Sequence, residues 1–114
     1  MPLINVKTSA ELNEAQIKEI VKEMGQAITL FPGKSESHLM VNIEKGCDLY
    51  FRGNDDKNTA FVDVAIFGSS TKEYCELVTE RVCEILEKTV GIPSDRTYVK
   101  FEYNTLWGHD KSMY

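Results

Sequence analysis

The hydrophobic pattern of this chain repeats once, at an offset of 58 positions. The offset places Leu3–Val6 on Phe61–Val64 and Gly33 on Gly91. A solenoid of stacked repeats needs at least three copies, and only two are present. The sequence therefore predicts two similar structural units that share one core.

The chain has 114 residues, which is enough for one domain and a modest core. We expect a single domain over 1–114, with pseudo-repeat halves at roughly 2–57 and 60–114. Of the residues, 42% are hydrophobic and 27% are charged, a balance typical of a folded rather than a disordered chain.

The first half has the pattern of a strand, a helix and a second strand. Pro2–Lys7 alternates in polarity, and apolar residues then recur at the 3.6-residue period up to Phe31. Thr8 followed by Glu11 predicts a capping box at the helix start. His38–Glu44 alternates again and predicts the second strand.

The second half repeats this order. Phe61–Ile66 predicts a strand and Thr71–Val90 a helix, which Gly91 ends as a C-cap. Alternation over Val99–Tyr103 marks the last strand. The loop between the halves offers Asp48–Phe51 as an additional short strand.

Two right-handed βαβ units place both helices on the same face of one four-stranded mixed sheet. The predicted fold class is therefore α+β, an α/β sandwich of duplicated βαβ units. The opposite face would mix apolar and polar side chains, namely Leu3, Asn5, Lys7, Met40, Asn42, Phe61, Asp63, Tyr98 and Lys100. We expect another copy of the chain to cover this face in a homo-oligomer; the alternative is a monomer with a few exposed apolar side chains.

The charge balance argues against polyanionic partners. With 13 basic and 18 acidic residues, the net charge is −5, so neither nucleic acid nor an anionic membrane is an expected partner. No apolar run approaches the roughly 18 residues of a membrane span, and no leader pattern opens the chain. We expect a cytoplasmic protein, or one released without a signal peptide.

Metal and disulfide chemistry are not expected. Cys47, Cys75 and Cys83 are odd in number and lack C-x-x-C spacing, and only His38 and His109 could join them as ligands. We interpret the three cysteines as small buried hydrophobic residues.

Pro2 is the candidate catalytic residue, because removal of Met1 would leave a secondary amine at the start of a strand. Burial or a neighbouring cation lowers the pKa of such an amine, which makes it a base near neutral pH. The structural alternative is a rigid first residue of an edge strand.

Several segments form a characteristic set within the duplicated βαβ layout, namely Met1–Val6, Gly33-Lys34, Phe51–Asn54, Ile66 and Pro93–Val99. Together they resemble the macrophage migration inhibitory factor branch of the tautomerase superfamily. The resemblance covers nearly the whole chain, in both the order and the spacing of its motifs.

The resemblance implies a homotrimer with active sites between subunits and no cofactor. Pro2 would be the acid/base, Lys34 would bind the carboxylate of an α-keto acid, and Ile66 would offer its main-chain N–H. Tyr98 would line the pocket from the adjacent subunit. The implied reaction is keto–enol tautomerisation of a phenylpyruvate-like α-keto acid or enol.

The chain also departs from the family pattern. Lys100 replaces an asparagine and adds a second cation, and Phe67 replaces a glycine after Ile66. Lys100 and Trp107 are further predicted substrate-binding residues, although the segment before Gly108 is about two residues shorter than in the family.

A second function of the same fold stays open, since animal relatives act as extracellular cytokines. The chain would then be a binding or signalling protein, or a catalytically silent trimer. Whether Met1 is removed distinguishes the enzyme from these alternatives, because a Pro2 that is linked to Met1 through an amide has no basic nitrogen.

Overall fold

The structure, a computed structural model, describes all residues from 1 to 114. Its strands and helices are β1 (Pro2–Thr8), α1 (Glu14–Ala27), β2 (Met40–Glu44), β3 (Ala60–Phe67), α2 (Lys72–Val90), β4 (Thr97–Asn104), β5 (Gly108–His109) and β6 (Ser112–Met113).

The main sheet has four strands in the order β2-β1-β3-β4. β1 is parallel to β2, β3 is parallel to β4, and the two central strands β1 and β3 are antiparallel. Each parallel pair is joined through a helix, so the predicted duplicated βαβ units and four-stranded mixed sheet are confirmed. In the register of the sheet, Pro2 lies opposite Ile66 and Tyr98 lies opposite Phe61.

Both helices pack on one face of this sheet, and the core lies between the two layers. Even-numbered residues of β1 and β3 point into the core, while their odd-numbered neighbours stay partly exposed. The fully buried side chains include Ile4, Val6, Val62 and Val64 from the sheet, and Ile20, Met24, Val82 and Leu86 from the helices. Burial of this apolar surface is the main stabilising contribution. No helix of the protein has the length and apolar content that crossing a bilayer requires.

The start of α1 corrects one prediction. Asn13, not Thr8, caps the helix: its Oδ1 accepts from the Gln16 N–H at 2.8 Å, and Gln16 Oε1 accepts from the Asn13 N–H at 3.0 Å. Thr8 is the buried last residue of β1, and its hydroxyl donates to the Thr59 carbonyl at 2.8 Å. The predicted Thr8–Glu11 capping box was therefore wrong, because Thr8 completes the β1–β3 pairing instead.

Short 3-10 turns and one glycine set the other ends of the helices and strands. The helix predicted to reach Phe31 consists of α1 and a short 3-10 turn, Ile28–Leu30, after which Phe31 is extended. Gly91 ends α2 at φ 80°, a left-handed conformation that suits glycine, as predicted. β2 begins only at Met40, because Glu36–His38 form another 3-10 turn.

Two short features differ from expectation. Asp48–Phe51 is not a strand; instead, Phe51 and Asn54 pair across a tight turn in which Arg52 and Gly53 both have positive φ values, 54° and 75°. The β5–β6 hairpin near the end of the chain was not predicted.

The sheet face opposite the helices remains open in one chain. Met40 is 69% exposed and Tyr98 is 61% exposed on this face. Polar contacts also cross the face, including a hydrogen bond from the Asn42 amide to Asn5 Oδ1 at 2.9 Å. The predicted mixture of apolar and polar side chains is present.

Candidate active site

A cleft of about 300 Å³ opens between the end of α1, the start of α2 and the end of β3. It combines an aromatic wall, one cation and several hydroxyl groups. The lining residues are Phe31, Pro32, Lys34, Ile66, Ser69, Ser70, Thr71 and Tyr74. This combination suits a small aromatic anion.

Lys34 enters the cleft from the turn that follows α1. Gly33 has φ 78°, which reverses the chain after Pro32 and directs Lys34 back toward the sheet. The Lys34 ammonium donates to the Phe67 carbonyl at 2.9 Å. This hydrogen bond fixes the cation and leaves two of its three N–H groups for a ligand.

The amino end of β1 lies beside Lys34. Burial, and then the charge of Lys34, lower the pKa of the Met1 amino group below its ordinary value. The Met1 carbonyl accepts from the Phe67 N–H at 3.0 Å, so Met1 extends the β1–β3 pairing by one residue. In this chain the nitrogen of Pro2 is an amide, Pro2 is buried, and it does not itself line the cleft.

Ile66 and Phe67 end β3 next to this amino terminus. Ile66 is buried and contributes to both the core and the cleft wall. Phe67 uses both main-chain groups locally, since its N–H donates to Met1 and its carbonyl accepts from Lys34. The sequence pointed to Ile66 as the main-chain donor and gave no signal for this role of Phe67.

Tyr98 lies at the other end of the same sheet. It pairs with Phe61, five positions before Ile66 along β3, which corresponds to roughly 17 Å at the usual rise of a strand. Within one chain, therefore, Tyr98 does not reach the cleft. Its ring meets Phe51 edge to face, with centroids 5.5 Å apart.

Arg96 anchors the turn that carries Phe51, a role that sequence reasoning missed. Its buried guanidinium donates to Thr59 Oγ1 at 2.9 Å, to Asn54 Oδ1 at 3.1 Å and to the Asn54 carbonyl at 3.1 Å. The same group lies 5.4 Å from the centroid of the Phe51 ring. Arginine has five N–H donors in a fixed geometry, which suits such a junction.

Lys100 and Trp107 lie outside the cleft in the single chain. Lys100 pairs with Glu102 at 3.0 Å and with Asp63 at 3.1 Å, and these carboxylates, Glu102 first, raise its pKa. The Trp107 carbonyl accepts from the Tyr114 N–H at 3.0 Å and so closes the last hairpin. Of the predicted site residues, the structure brings together Lys34, Ile66 and the amino end, but not Tyr98, Lys100 and Trp107.

The described side chains do not form a cluster of three histidine, cysteine, aspartate or glutamate residues of the kind that holds a metal ion. The polar groups of the cleft are an ammonium, hydroxyls and main-chain amides. They can bind an anion, and with an adjacent amine they can support proton transfer.

Comparison with known proteins finds a family match over most of the chain. The sequence model of the family described as macrophage migration inhibitory factor (MIF) matches residues 1–107. No match was found among curated protein sequences.

Solved structures share the whole fold. MIF2 from Leishmania major is 22% identical, with a TM-score of 0.92 over 100% of this chain and 97% of that one. The MIF-like protein from Entamoeba histolytica is 28% identical, with a TM-score of 0.88 over 99% of this chain and 98% of that one. A more distant structure, Pt0534 inactivated by 2-oxo-3-pentynoate, is 14% identical, with a TM-score of 0.79 over 90% of this chain and 85% of that one.

Proposed function

We propose, since this chain belongs to the macrophage migration inhibitory factor family, that it is a keto–enol tautomerase of phenylpyruvate-like α-keto acids. Pro2 is the acid/base after Met1 has been removed. The observation that carries the proposal is the position of Lys34, which lines the cleft and donates to the carbonyl of Phe67, the residue whose N–H donates to the Met1 carbonyl just before Pro2.

The reaction is an isomerisation, so atoms and electrons balance without a cofactor. The neutral Pro2 nitrogen takes a proton from the carbon beside the carbonyl. The electrons of that C–H bond form the C=C bond, and the carbonyl oxygen takes the displaced electron pair and then a proton. The reverse sequence turns the enol into the ketone.

Two features of the cleft favour this chemistry. A cation beside the amine keeps the amine deprotonated, and so basic, at lower pH. The same cation attracts the substrate carboxylate, while Pro32 and Tyr74 offer apolar surface to an aromatic side chain. The distant structure Pt0534, which shares the fold, was inactivated by 2-oxo-3-pentynoate, an α-keto acid, and this supports a ligand of that class for the proposed site.

The remaining predicted site residues belong to a homotrimer in this proposal. Tyr98 is exposed at the far end of the sheet, where a neighbouring copy can use its ring. Lys100 and Trp107 would join the site from elements that a single chain leaves outside the cleft. The open face with Met40 supports association, because an exposed apolar patch favours burial against a partner.

The test begins with intact-mass measurement, which shows whether Met1 has been removed. Processed protein should ketonise enolic phenylpyruvate, followed by ultraviolet absorbance, and Pro2→Gly should lose this activity while light scattering shows an unchanged assembly. Processed, assembled protein that does not ketonise at any substrate concentration would contradict the enzymatic function. A binding or signalling role would then be the remaining function of the fold.

A further inference from the structure

The exposed ring of Tyr98 contacts the ring of Phe51, and Arg96 holds Phe51 from another side. Tyr98 and Phe51 meet edge to face, with centroids 5.5 Å apart. The guanidinium of Arg96 lies 5.4 Å from the centroid of the same Phe51 ring. We infer that Phe51 and Arg96 are positioning residues, which fix the Tyr98 ring in the orientation that lines the cleft of a neighbouring subunit. The inference rests on the proposed function, in which Tyr98 belongs to that cleft.

The turn that carries Phe51 is fixed by main-chain and side-chain hydrogen bonds. Phe51 and Asn54 exchange two main-chain hydrogen bonds across the turn, at 2.9 Å and 3.1 Å. The Arg96 guanidinium donates to the carbonyl and the side chain of Asn54, and also to Thr59 Oγ1 just before β3. Because Arg96 is buried, water competes little for these hydrogen bonds. The turn is thus tied to the start of β3.

Arg96 and Tyr98 belong to the same short segment. Arg96 ends a 3-10 turn, and Tyr98 is the second residue of β4, where it lies opposite Phe61 in the sheet. The main-chain positions of Arg96 and Tyr98 are therefore fixed relative to each other. By holding Phe51, Arg96 sets the place of the ring against which Tyr98 rests.

This arrangement prepares Tyr98 for binding before a substrate arrives. An exposed tyrosine without a neighbouring ring samples several side-chain rotamers, and binding then has to select one of them. An edge-to-face ring pair favours one orientation by about two- to tenfold. The ring pair therefore lowers the entropy lost when Tyr98 contacts a ligand.

The first experiment separates binding from chemistry. In the proposed mechanism Pro2 moves the proton and Tyr98 lines the pocket, so the orientation of Tyr98 affects KM rather than kcat. In processed, assembled protein, Phe51→Leu should raise KM for phenylpyruvate about two- to tenfold at nearly constant kcat. Phe51→Tyr retains a ring and should keep KM near its original value. Tyr50→Leu, at the exposed neighbouring residue, is the matched control and should also leave KM unchanged.

Arg96→Lys tests the second positioning residue. Lysine keeps the charge but lacks the planar group that reaches Asn54, Thr59 and the Phe51 ring together. The folded variant should raise KM as Phe51→Leu does. An unchanged KM would overturn the part assigned to Arg96; if Arg96→Lys does not fold, the Phe51 variants decide.

A double-mutant cycle shows whether Phe51 acts through Tyr98. In a Tyr98→Leu background the ring pair is already lost, so Phe51→Leu should not raise KM further. Additive effects of the two substitutions would overturn the inference, because Phe51 would then act by another route. An unchanged KM in Tyr98→Leu alone would do the same, since Tyr98 would then not line the cleft.

Hybrid trimers test whether the effect reaches a neighbouring subunit. Two affinity tags and ion exchange isolate trimers of two Pro2→Gly chains and one Phe51→Leu chain. The only base then belongs to the Phe51→Leu chain, while the Tyr98 that reaches its cleft comes from a Pro2→Gly chain with an intact ring pair. KM should return to that of the original protein. A KM that stays raised would place the effect within the substituted chain and refute the inference.

A binding measurement without turnover separates this inference from the proposed function. The probe is phenylglyoxylate, an aromatic α-keto acid that cannot enolise because it has no hydrogen beside the carbonyl. Calorimetry should give a Kd about two- to tenfold higher for Phe51→Leu than for Phe51→Tyr. If processed protein does not ketonise phenylpyruvate but this difference is present, the tautomerase function fails and the positioning role stands. If ketonisation is normal and the two Kd values are equal, the function stands and the positioning role fails.

Discussion

The ammonium of Lys34 lies 2.9 Å from the carbonyl oxygen of Phe67. This hydrogen bond ties the turn after α1 to the last residue of β3, and it places a cation at the amino end of β1. Because the Phe67 carbonyl is part of the sheet, the position of the cation depends on strand register rather than on a flexible loop.

Replacement of Lys34 tests the cation directly. Lys34→Gln should lower kcat/KM of processed protein for phenylpyruvate about 10- to 100-fold, as expected for the loss of a charge-assisted hydrogen bond of about 1.5–3 kcal/mol. Lys34→Arg keeps the charge and should retain more activity. The acid limb of the pH profile should also move to higher pH in Lys34→Gln, because the amine loses a neighbouring cation. An unmoved limb would contradict the predicted coupling.

The amino-terminal pKa predicts a pH dependence of stability in protein that retains Met1. Burial and Lys34 lower the pKa of the Met1 amine in the folded state, so the unfolded state binds its proton more tightly. At pH values below the folded-state pKa, the free energy of unfolding is therefore smaller than it would be without the shift. This loss of stability disappears as the pH rises through the unfolded-state pKa. In urea unfolding, the free energy of unfolding should increase less with pH across this range for Lys34→Gln than for the exposed control Lys22→Gln.

Core packing along α2 predicts a contrast between two leucines. Leu86 is fully buried, and Leu86→Ala should lower the free energy of unfolding by about 2–5 kcal/mol. Leu77 is 47% exposed on the same helix, so Leu77→Ala should change it by less than about 1 kcal/mol. Chemical denaturation measures both. Similar losses in the two variants would show that the helix packs differently.

The Arg96 junction predicts a further contrast. Arg96→Ala leaves the oxygens of Thr59 and Asn54 without their donor and should cost about 3 kcal/mol of stability. Arg52→Gly removes the exposed cation that lies 5.1 Å from the centroid of the Phe51 ring and relieves a positive φ. It should leave stability equal or higher. Thermal unfolding of both variants is the measurement, and a harmless Arg96→Ala would contradict the anchoring role.

Cys83 should react slowly with alkylating reagents. Burial, and then Glu87 and Glu84, raise the pKa of its thiol, so little thiolate is present at neutral pH. Glu87→Gln removes one of these carboxylates and should accelerate alkylation at Cys83. Peptide mass spectrometry after timed labelling gives the rate. An unchanged rate would contradict the contribution of Glu87 to the raised pKa.

Much of the fold could be predicted because its signals are local. The apolar period of α2 and the glycine after it identify the helix and its end, and alternation identifies the strands. The capping box of α1 could not be predicted in the same way, since both Thr8 and Asn13 satisfy the sequence rule. A contact from Thr8 to Thr59, 51 positions away, decides between them.

Some residues of the candidate site could likewise be predicted from the sequence, and others could not. Lys34 and Ile66 were predictable from the family resemblance, and they do share one cleft. The hydrogen bonds of Phe67 to Met1 and Lys34 could not be predicted, because they depend on the β1–β3 register and involve the main chain of Phe67 rather than its side chain. The last hairpin turns through Asp110 and Lys111 at positive φ, a conformation that lysine rarely adopts and that its presence in the sequence does not predict.

The central place of β1 in the sheet also governs how the protein is made. β1 lies between β2 and β3, and its partner Ala60–Phe67 is synthesised more than fifty residues later. A nascent chain therefore carries its first strand unpaired on one side until the second half has left the ribosome. Removal of Met1 can occur in that interval, while the amino end is still accessible to an aminopeptidase.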